Sequence, residues 1–355
     1  MALKTRVAMM ERLKPIWARV MGRESADADD NFFALGGTPA KAQELFDAIE
    51  RECRRKLPVF TVVRAQTLGE LAELLEAPDA IEFPAVTLMR EGRQEPAIFI
   101  THGLGSNILD LYPMVQHLEI SNPVYGIQAK GSDLKSEPLS NVQDMADYFV
   151  EEIRKTREHG PYVLIGYSFG GVVMFETARL LTQIGERVAF LGMVESFPYR
   201  DFLSSTEKLK MKMQLMQRHG RILSRIPMKQ KVEYLTSGFE RDRYVSWDDH
   251  GNPGRRPANV KFADADRRRQ YEETALKSYQ PESYEGKIHF VRAQEGVASF
   301  PASPSSAWAP WIGGSVTDVT PGDHFRILSE HYEGLAAILT KQLKQALGGG
   351  SREAR

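Results

Sequence analysis

Residues 161–171 place the strongest constraint on how this chain folds. They read Pro-Tyr-Val-Leu-Ile-Gly-Tyr-Ser-Phe-Gly-Gly, which is an apolar strand pattern that runs directly into a Gly-x-Ser-x-Gly turn and then into a helical pattern. A turn this sharp leaves no room for side chains beside the serine, so glycine is needed on either side of it. Ser168 itself must adopt a strained backbone conformation that lifts its hydroxyl clear of the sheet. We therefore predict that Ser168 is a nucleophile.

Strand and helix patterns alternate along most of the chain that follows the N-terminal region. The predicted strands are Ala97–Thr101, Val124–Gln128, Tyr162–Ile165, Val188–Val194, Lys287–Arg292 and Ser315–Val319. Such alternation predicts a mostly parallel sheet with helices on both faces. Together with the turn at Ser168, it predicts an α/β-hydrolase fold over residues 86–348. Residues 198–280 show helical patterns without a clear strand and are interpreted as a helical insertion, and residues 349–355 as a flexible tail.

The first 77 residues have a different pattern. Apolar residues recur there at spacings of three and four, which predicts a small all-α bundle. Thr67 and Glu70 have the spacing of a capping box at the start of one of its helices. Pro78 and Pro84 interrupt the pattern, so residues 78–85 are interpreted as a linker. A chain of 355 residues is also longer than one compact core usually accommodates.

Charge and cysteine content exclude several classes of function. Lys and Arg total 46 against 47 Asp and Glu, so the chain has no bulk attraction for nucleic acid or anionic membranes. No apolar run approaches the roughly 18 residues of a membrane helix. Cys53 is the only cysteine, which fits a reducing compartment. We expect a cytoplasmic protein with no membrane or nucleic-acid partner and no metal site.

A serine hydroxyl needs a base, and in this fold the base is a histidine that follows the acid in the sequence. His324 is the best candidate, because it lies in a turn between the last predicted strand and a C-terminal helix. The acid has two candidates. Glu195 ends one predicted strand, and Glu295 follows the next-to-last strand. Sequence position and residue type alone do not decide which of the two glutamates is the acid.

The developing oxyanion needs two backbone N–H donors. One is expected from Phe169, directly after the serine, and the other from Leu104 in the loop Thr101–Ser106. His102 in that loop is interpreted as a structural side chain.

With these motifs, residues 83–347 resemble the thioesterase domains that end nonribosomal peptide and polyketide synthetases. The resemblance implies that the acid is Glu195, although the family usually has Asp at that position. It also implies that residues 198–280 are a lid over an acyl channel, that the thioesterase itself binds no cofactor, and that the partners are carrier domains or upstream synthetase modules.

The segment Asp30–Gly37 resembles the signature of acyl and peptidyl carrier domains, in which a serine soon afterwards receives phosphopantetheine. Here the sequence continues Thr38-Pro39-Ala40. The serine position aligns with Pro39, or with Ala40, and neither has a hydroxyl. We expect that this carrier-like domain is not loaded, either as a natural degenerate module or because the serine was removed by design.

The expected function is therefore release of an acyl or peptidyl chain from a phosphopantetheine thioester, by hydrolysis or cyclisation. Two alternatives stay open: a carboxylesterase or lipase on the same fold, and a non-catalytic protein that docks through a degenerate carrier domain.

Overall fold

The computed structural model describes residues 2–76, 83–225, 227–228, 231, 263–296, 300–301 and 303–348. Residues 78–82 of the predicted linker, the predicted tail at 349–355 and residues 232–262 of the predicted insertion lie outside this described part.

The N-terminal residues form a bundle of helices, as the apolar spacing predicts. The helices are α1 (Ala2–Met21), α2 (Pro39–Cys53), α3 (Thr61–Arg64) and α4 (Leu68–Glu76). Trp17 and Phe32 are fully buried at its centre, with ring centroids 6.0 Å apart in an edge-to-face contact. The predicted capping box is confirmed: Glu70 N–H donates to Thr67 Oγ1 at 3.2 Å, and Thr67 N–H donates to Glu70 Oε2 at 2.9 Å.

A seven-stranded sheet organises the rest of the chain. Its strands are β1 (Val86–Arg90), β2 (Ile98–Thr101), β3 (Val124–Ile127), β4 (Tyr162–Tyr167), β5 (Val188–Val194), β6 (Tyr284–Ala293) and β7 (Ile312–Thr320), in the order β1-β3-β2-β4-β5-β6-β7. All neighbours are parallel except β1 and β3. The six predicted strands are all present, and this is the predicted fold class. We did not predict β1, a five-residue strand at the edge of the sheet in which only Thr87 and Met89 are buried.

Both faces of the sheet are covered. The helices of this part are α5 (Tyr112–Gln116), α6 (Val142–Thr156), α7 (Phe169–Gln183), α8 (Ser205–Arg225), α9 (Ala263–Ser278), α10 (Pro304–Trp308) and α11 (Tyr332–Gly348). Successive residues of β4 point to opposite sides. Leu164 packs in the core with α6 and α7, whereas Val163 and Ile165 pack in the core with α11. No helix of the described part combines the length and apolar character needed to cross a bilayer.

The bundle packs directly against the sheet domain through aromatic side chains. Phe33 stacks on Tyr112 at the start of α5, with ring centroids 3.7 Å apart. The Tyr112 hydroxyl lies 3.3 Å from Gln66 Oε1, and Phe60 meets Phe83 edge-to-face. The buried residues of the bundle and of the α11 side of the sheet consequently form one continuous apolar cluster.

Candidate active site

Ser168 occupies the turn between β4 and α7. Its backbone has φ 54° and ψ −122°, a sparsely populated conformation with positive φ that costs about 1–3 kcal/mol for a residue with a side chain. The turn is held by Ser168 N–H, which donates to the Val194 carbonyl at 2.8 Å. A Cβ atom on Gly170 would lie 2.3 Å from the His102 carbonyl oxygen. Glycine at 170 is therefore required by the close approach of the loop after β2.

His324 reaches the serine from the turn that follows β7. Its Nε2 lies 3.1 Å from Ser168 Oγ, and its side chain is buried. Asp323 holds this turn, because its Oδ1 accepts hydrogen bonds from the backbone N–H groups of Phe325 and Arg326 at 2.8 and 2.9 Å. The Tyr167 hydroxyl donates to the His324 carbonyl. The imidazole is thus placed by its backbone as well as by its ring contacts.

Glu195 lies at the carboxyl end of β5 and is 4% exposed. Its Oε2 is 3.2 Å from His324 Nδ1, and its Oε1 accepts a hydrogen bond from Ala293 N–H at 2.7 Å. Both carboxylate oxygens therefore have partners, and the side chain has no freedom to turn away. A carboxylate can only accept, so Nδ1 carries the proton and Nε2 is left to accept one from Ser168.

Glu295, the other candidate acid, has a different environment. Its side chain is 59% exposed and pairs with Arg326, whose Nη2 lies 3.0 Å from Glu295 Oε2. Its backbone N–H donates to the Gly322 carbonyl, so Glu295 supports the turn of His324 from the outside. The structure brings Ser168, His324 and Glu195 together and leaves Glu295 at the surface.

The two predicted oxyanion donors lie on either side of the serine. Phe169 is the first residue of α7, where a helix has unpaired N–H groups and a partial positive charge. A Cβ atom on Gly103 would lie 3.2 Å from Ser168 Cβ, which places the loop of Leu104 beside Ser168. Within the described residues, neither the Leu104 nor the Phe169 N–H donates a hydrogen bond. Both amides are available for an oxyanion.

Two features of the site were missed in the sequence analysis. Phe300 lies against the His324 ring at a centroid distance of 4.7 Å, and Phe197 stacks on Phe300 at 5.3 Å. These rings shield one side of the imidazole from water. The second feature, a charged pair on α9, is described below. Neither has a local signal, because the aromatic contacts and the contacts of the charged pair with the loop after β2 join residues that are far apart in the sequence.

His102 anchors the loop after β2. Its Nδ1 lies 2.9 Å from the Gly103 carbonyl, and its Nε2 lies 3.3 Å from Ala129 N–H. A neutral imidazole satisfies both contacts, with Nδ1 donating and Nε2 accepting. Burial, with a smaller contribution from the charge of Arg268, lowers the pKa of His102 to about 3. His102 is therefore uncharged and fully engaged by the backbone near neutral pH, as expected for a structural side chain.

The carrier-like motif ends at the start of α2. Thr38 is the N-cap of this helix, and its Oγ1 accepts a hydrogen bond from Lys41 N–H at 3.3 Å. Pro39 occupies the first helical position, where its missing N–H costs nothing. Pro39 and Ala40 are both exposed, but neither has an oxygen that could form a phosphodiester. The residues present do not fit attachment of phosphopantetheine at this position.

Comparison with family models assigns both parts of the chain. Residues 96–343 match the model described as thioesterase domain, and residues 11–75 match the model described as phosphopantetheine attachment site. Among curated proteins, malpibaldin synthetase of Mortierella alpina is 32% identical over 188 residues, which cover 52% of this chain and 3% of that protein. Indigoidine synthase of Dickeya dadantii is 36% identical over 182 residues, 50% of this chain and 12% of that protein. The chain thus spans a small fraction of these relatives.

Solved structures show the same fold at low identity. A four-domain nonribosomal peptide synthetase bound to AMP and glycine aligns with 95% of this chain and 26% of its own, at 19% identity and a TM-score of 0.56. The type II thioesterase BorB from the borrelidin biosynthetic cluster aligns with 75% of this chain and all of its own, at 18% identity and a TM-score of 0.52.

The lowered pKa of His102 should make the free energy of unfolding depend on pH. As pH falls below 6.5, the unfolded chain takes up a proton at residue 102 and the folded protein does not, so the free energy of unfolding decreases by about 1.4 kcal/mol per pH unit from this group. His102→Asn can also destabilise the protein by an amount that does not vary with pH. Between about pH 6 and pH 4, however, its free energy of unfolding should fall less steeply with decreasing pH than that of the unsubstituted protein. Urea unfolding at several pH values measures both slopes, and equal slopes would contradict the assignment.

Proposed function

Because this chain belongs to the thioesterase domain family, with a domain of the phosphopantetheine-attachment type in front of it, we propose that it releases an acyl or peptidyl chain from a phosphopantetheine thioester through an ester on Ser168. The observation that carries the proposal is the continuous series of contacts from Ser168 Oγ to His324 Nε2, at 3.1 Å, and from His324 Nδ1 to Glu195 Oε2, at 3.2 Å. This is the arrangement that turns a weak hydroxyl into a nucleophile.

In the first half of the reaction, Ser168 Oγ attacks the thioester carbonyl while His324 Nε2 takes its proton. The Leu104 and Phe169 N–H groups donate to the oxyanion, and each such donor typically contributes about 3 kcal/mol. The C–S bond then breaks, and the sulfur leaves with the proton held by His324. A thiol has a pKa of about 8.5, so this leaving group needs little acid assistance.

In the second half, water or a nucleophile on the acyl chain attacks the ester at Ser168. His324 takes the proton of that nucleophile and returns it to Ser168 Oγ as the ester bond breaks. Glu195 stabilises the imidazolium in both halves and keeps the ring in one orientation, because its second oxygen is fixed by Ala293 N–H. The product is a free acid when water attacks and a ring when the chain attacks itself.

The front domain is assigned a different role from that of a loaded carrier. Pro39 at the helix start supplies no acceptor oxygen, and the hydroxyl of Thr38 caps the helix. We assign delivery of the substrate to another carrier domain, such as one in the upstream modules of a synthetase. In this proposal the front domain has a structural role and packs against the thioesterase domain through the stack of Phe33 on Tyr112.

Removal of the nucleophile tests the reaction. Ser168→Ala should lower turnover of acyl-pantetheine thioesters by at least about a thousandfold and abolish labelling by a fluorophosphonate, while the circular dichroism spectrum stays unchanged. Mass spectrometry that still detects covalent labelling of the variant would contradict the assignment. In the wild-type protein, faster turnover of oxygen esters than of thioesters of equal chain length would favour a carboxylesterase. No turnover of either would favour a docking protein.

The choice of acid is tested by a matched pair of variants. Glu195→Gln should lower kcat/KM by about 10⁴-fold, because an amide at this position no longer stabilises the imidazolium. Glu295→Gln should change kcat/KM by less than about fivefold, since an exposed ion pair contributes at most about 1 kcal/mol. The reverse order of effects would assign the acid to Glu295. Both are measured on the same thioester at saturating and limiting concentrations.

Loading of the front domain can be measured directly. The wild-type protein, incubated with a phosphopantetheinyl transferase and coenzyme A, should keep its mass, because residues 38–40 offer no exposed acceptor beyond the capping hydroxyl. Pro39→Ser should gain one phosphopantetheine group, and Ala40→Ser serves as the control for a shift of one residue. A mass increase of the wild-type protein would contradict this part of the proposal.

A further inference from the structure

Two oppositely charged side chains of α9 are buried against the loop that follows β2. The side chains of Arg268 and Glu272 are 7% and 2% exposed, and Arg268 Nε lies 3.3 Å from Glu272 Oε1. Removing two charges from water is costly, and their mutual attraction offsets that cost only when each also gains hydrogen bonds. The mechanism described above uses neither residue, so their burial calls for another explanation.

Each charged group makes its additional contact with the backbone of the same loop. Gly105 N–H donates to Glu272 Oε2 at 2.6 Å. Arg268 Nη2 donates to the Ser106 carbonyl. The pair therefore binds one backbone donor and one backbone acceptor of adjacent residues, with the charge of each side chain strengthening its hydrogen bond.

The loop backbone is shaped to approach this helix closely. Gly105 has φ +65°, a left-handed conformation that residues with side chains rarely adopt. A Cβ atom at this position would also lie 3.1 Å from Arg269 Cβ. Ser106 N–H donates to the Gly103 carbonyl, which closes the loop into a tight turn around Leu104. Contact with α9 is thus built into the backbone of the loop as well as into the charged pair.

We propose that Glu272, together with Arg268, is a positioning residue that sets the direction of the Leu104 N–H group in the oxyanion hole. The inference rests on the proposed function. The Gly105 N–H bound by Glu272 lies one peptide unit after the Leu104 N–H, so rotation of the backbone at one displaces the other. A displacement of about 1 Å in a catalytic group can cost about a hundredfold in rate.

Two conservative variants separate a hydrogen-bonding role from a charge role. Glu272→Gln keeps an oxygen at the same reach for Gly105 N–H but loses the charge. Glu272→Asp keeps the charge but is one methylene too short. We expect Gln to retain kcat within about threefold, and Asp to lower kcat by tenfold or more with KM changed by less than about threefold. The rate of Ser168 labelling by a fluorophosphonate should fall in parallel.

Glu176 provides a matched control. It is also fully buried, pairs with Arg179 at a spacing of three residues, and accepts a hydrogen bond from the hydroxyl of Tyr279, just beyond α9, but it has no hydrogen bond to the oxyanion loop. Glu176→Gln and Glu176→Asp should lower the midpoint of thermal unfolding and leave kcat of the folded fraction within about twofold.

If Glu272→Asp does not fold, Arg268→Lys tests the same contact from its other side, since an ammonium cannot bind both Glu272 and Ser106 as a guanidinium does.

The outcomes are distinguishable. Equal kcat for Glu272→Gln and Glu272→Asp, or a greater loss for Gln, would overturn the positioning role. If the wild-type protein turns over no acyl-pantetheine thioester, the proposed function fails. The positioning role is then decided by the labelling rates alone, because phosphonylation of Ser168 uses the nucleophile and the oxyanion hole but no thioester.

Discussion

The strained backbone of Ser168 is the feature on which the rest of the site depends. A φ of 54° is unfavourable for serine, and it is maintained because the neighbouring backbone leaves no alternative. Ser168 N–H is bound by the Val194 carbonyl, and the loop of His102 presses against Gly170. Glu195 also has a positive φ, of 47°. Two strained residues thus stand at the ends of two adjacent parallel strands, each with its side chain directed to the same imidazole.

The parallel sheet makes this convergence possible. The carboxyl ends of β4, β5 and β7 lie at one edge, where α/β proteins commonly place their sites. Because β6 separates β5 from β7, the turn that carries His324 must reach back across one strand. The Tyr167 hydroxyl donates a hydrogen bond to the His324 carbonyl and so holds this turn. Glu195 is held at the end of β6, because its Oε1 accepts a hydrogen bond from Ala293 N–H. The distance between strands is thereby bridged by hydrogen bonds rather than by a long flexible loop.

The N-terminal domain keeps its helical bundle with Pro39 and Ala40 where the carrier signature has a serine. Proline is well suited to the first position of α2 and threonine to its cap, so the helix starts without the serine that attachment requires. Our proposal assigns this domain a packing role, with Phe33 stacked on Tyr112 at the start of α5. Tyr112 follows Leu104 by eight residues in the chain, so the front domain contacts the helix that comes after the proposed oxyanion loop.

Features that depend on neighbours along the chain were determined by the sequence alone. The turn at Ser168, the six strands of the parallel sheet and the capping box of Thr67 are local, because each follows from side-chain periodicity or backbone sterics within a few residues. The partly exposed β1 has too weak a pattern to be recognised. Only the tertiary structure decided which glutamate meets His324, and only it revealed the contact of Gly105 with Glu272, 167 residues further on. Such contacts depend on strand order and on the path of each loop, which local patterns do not encode.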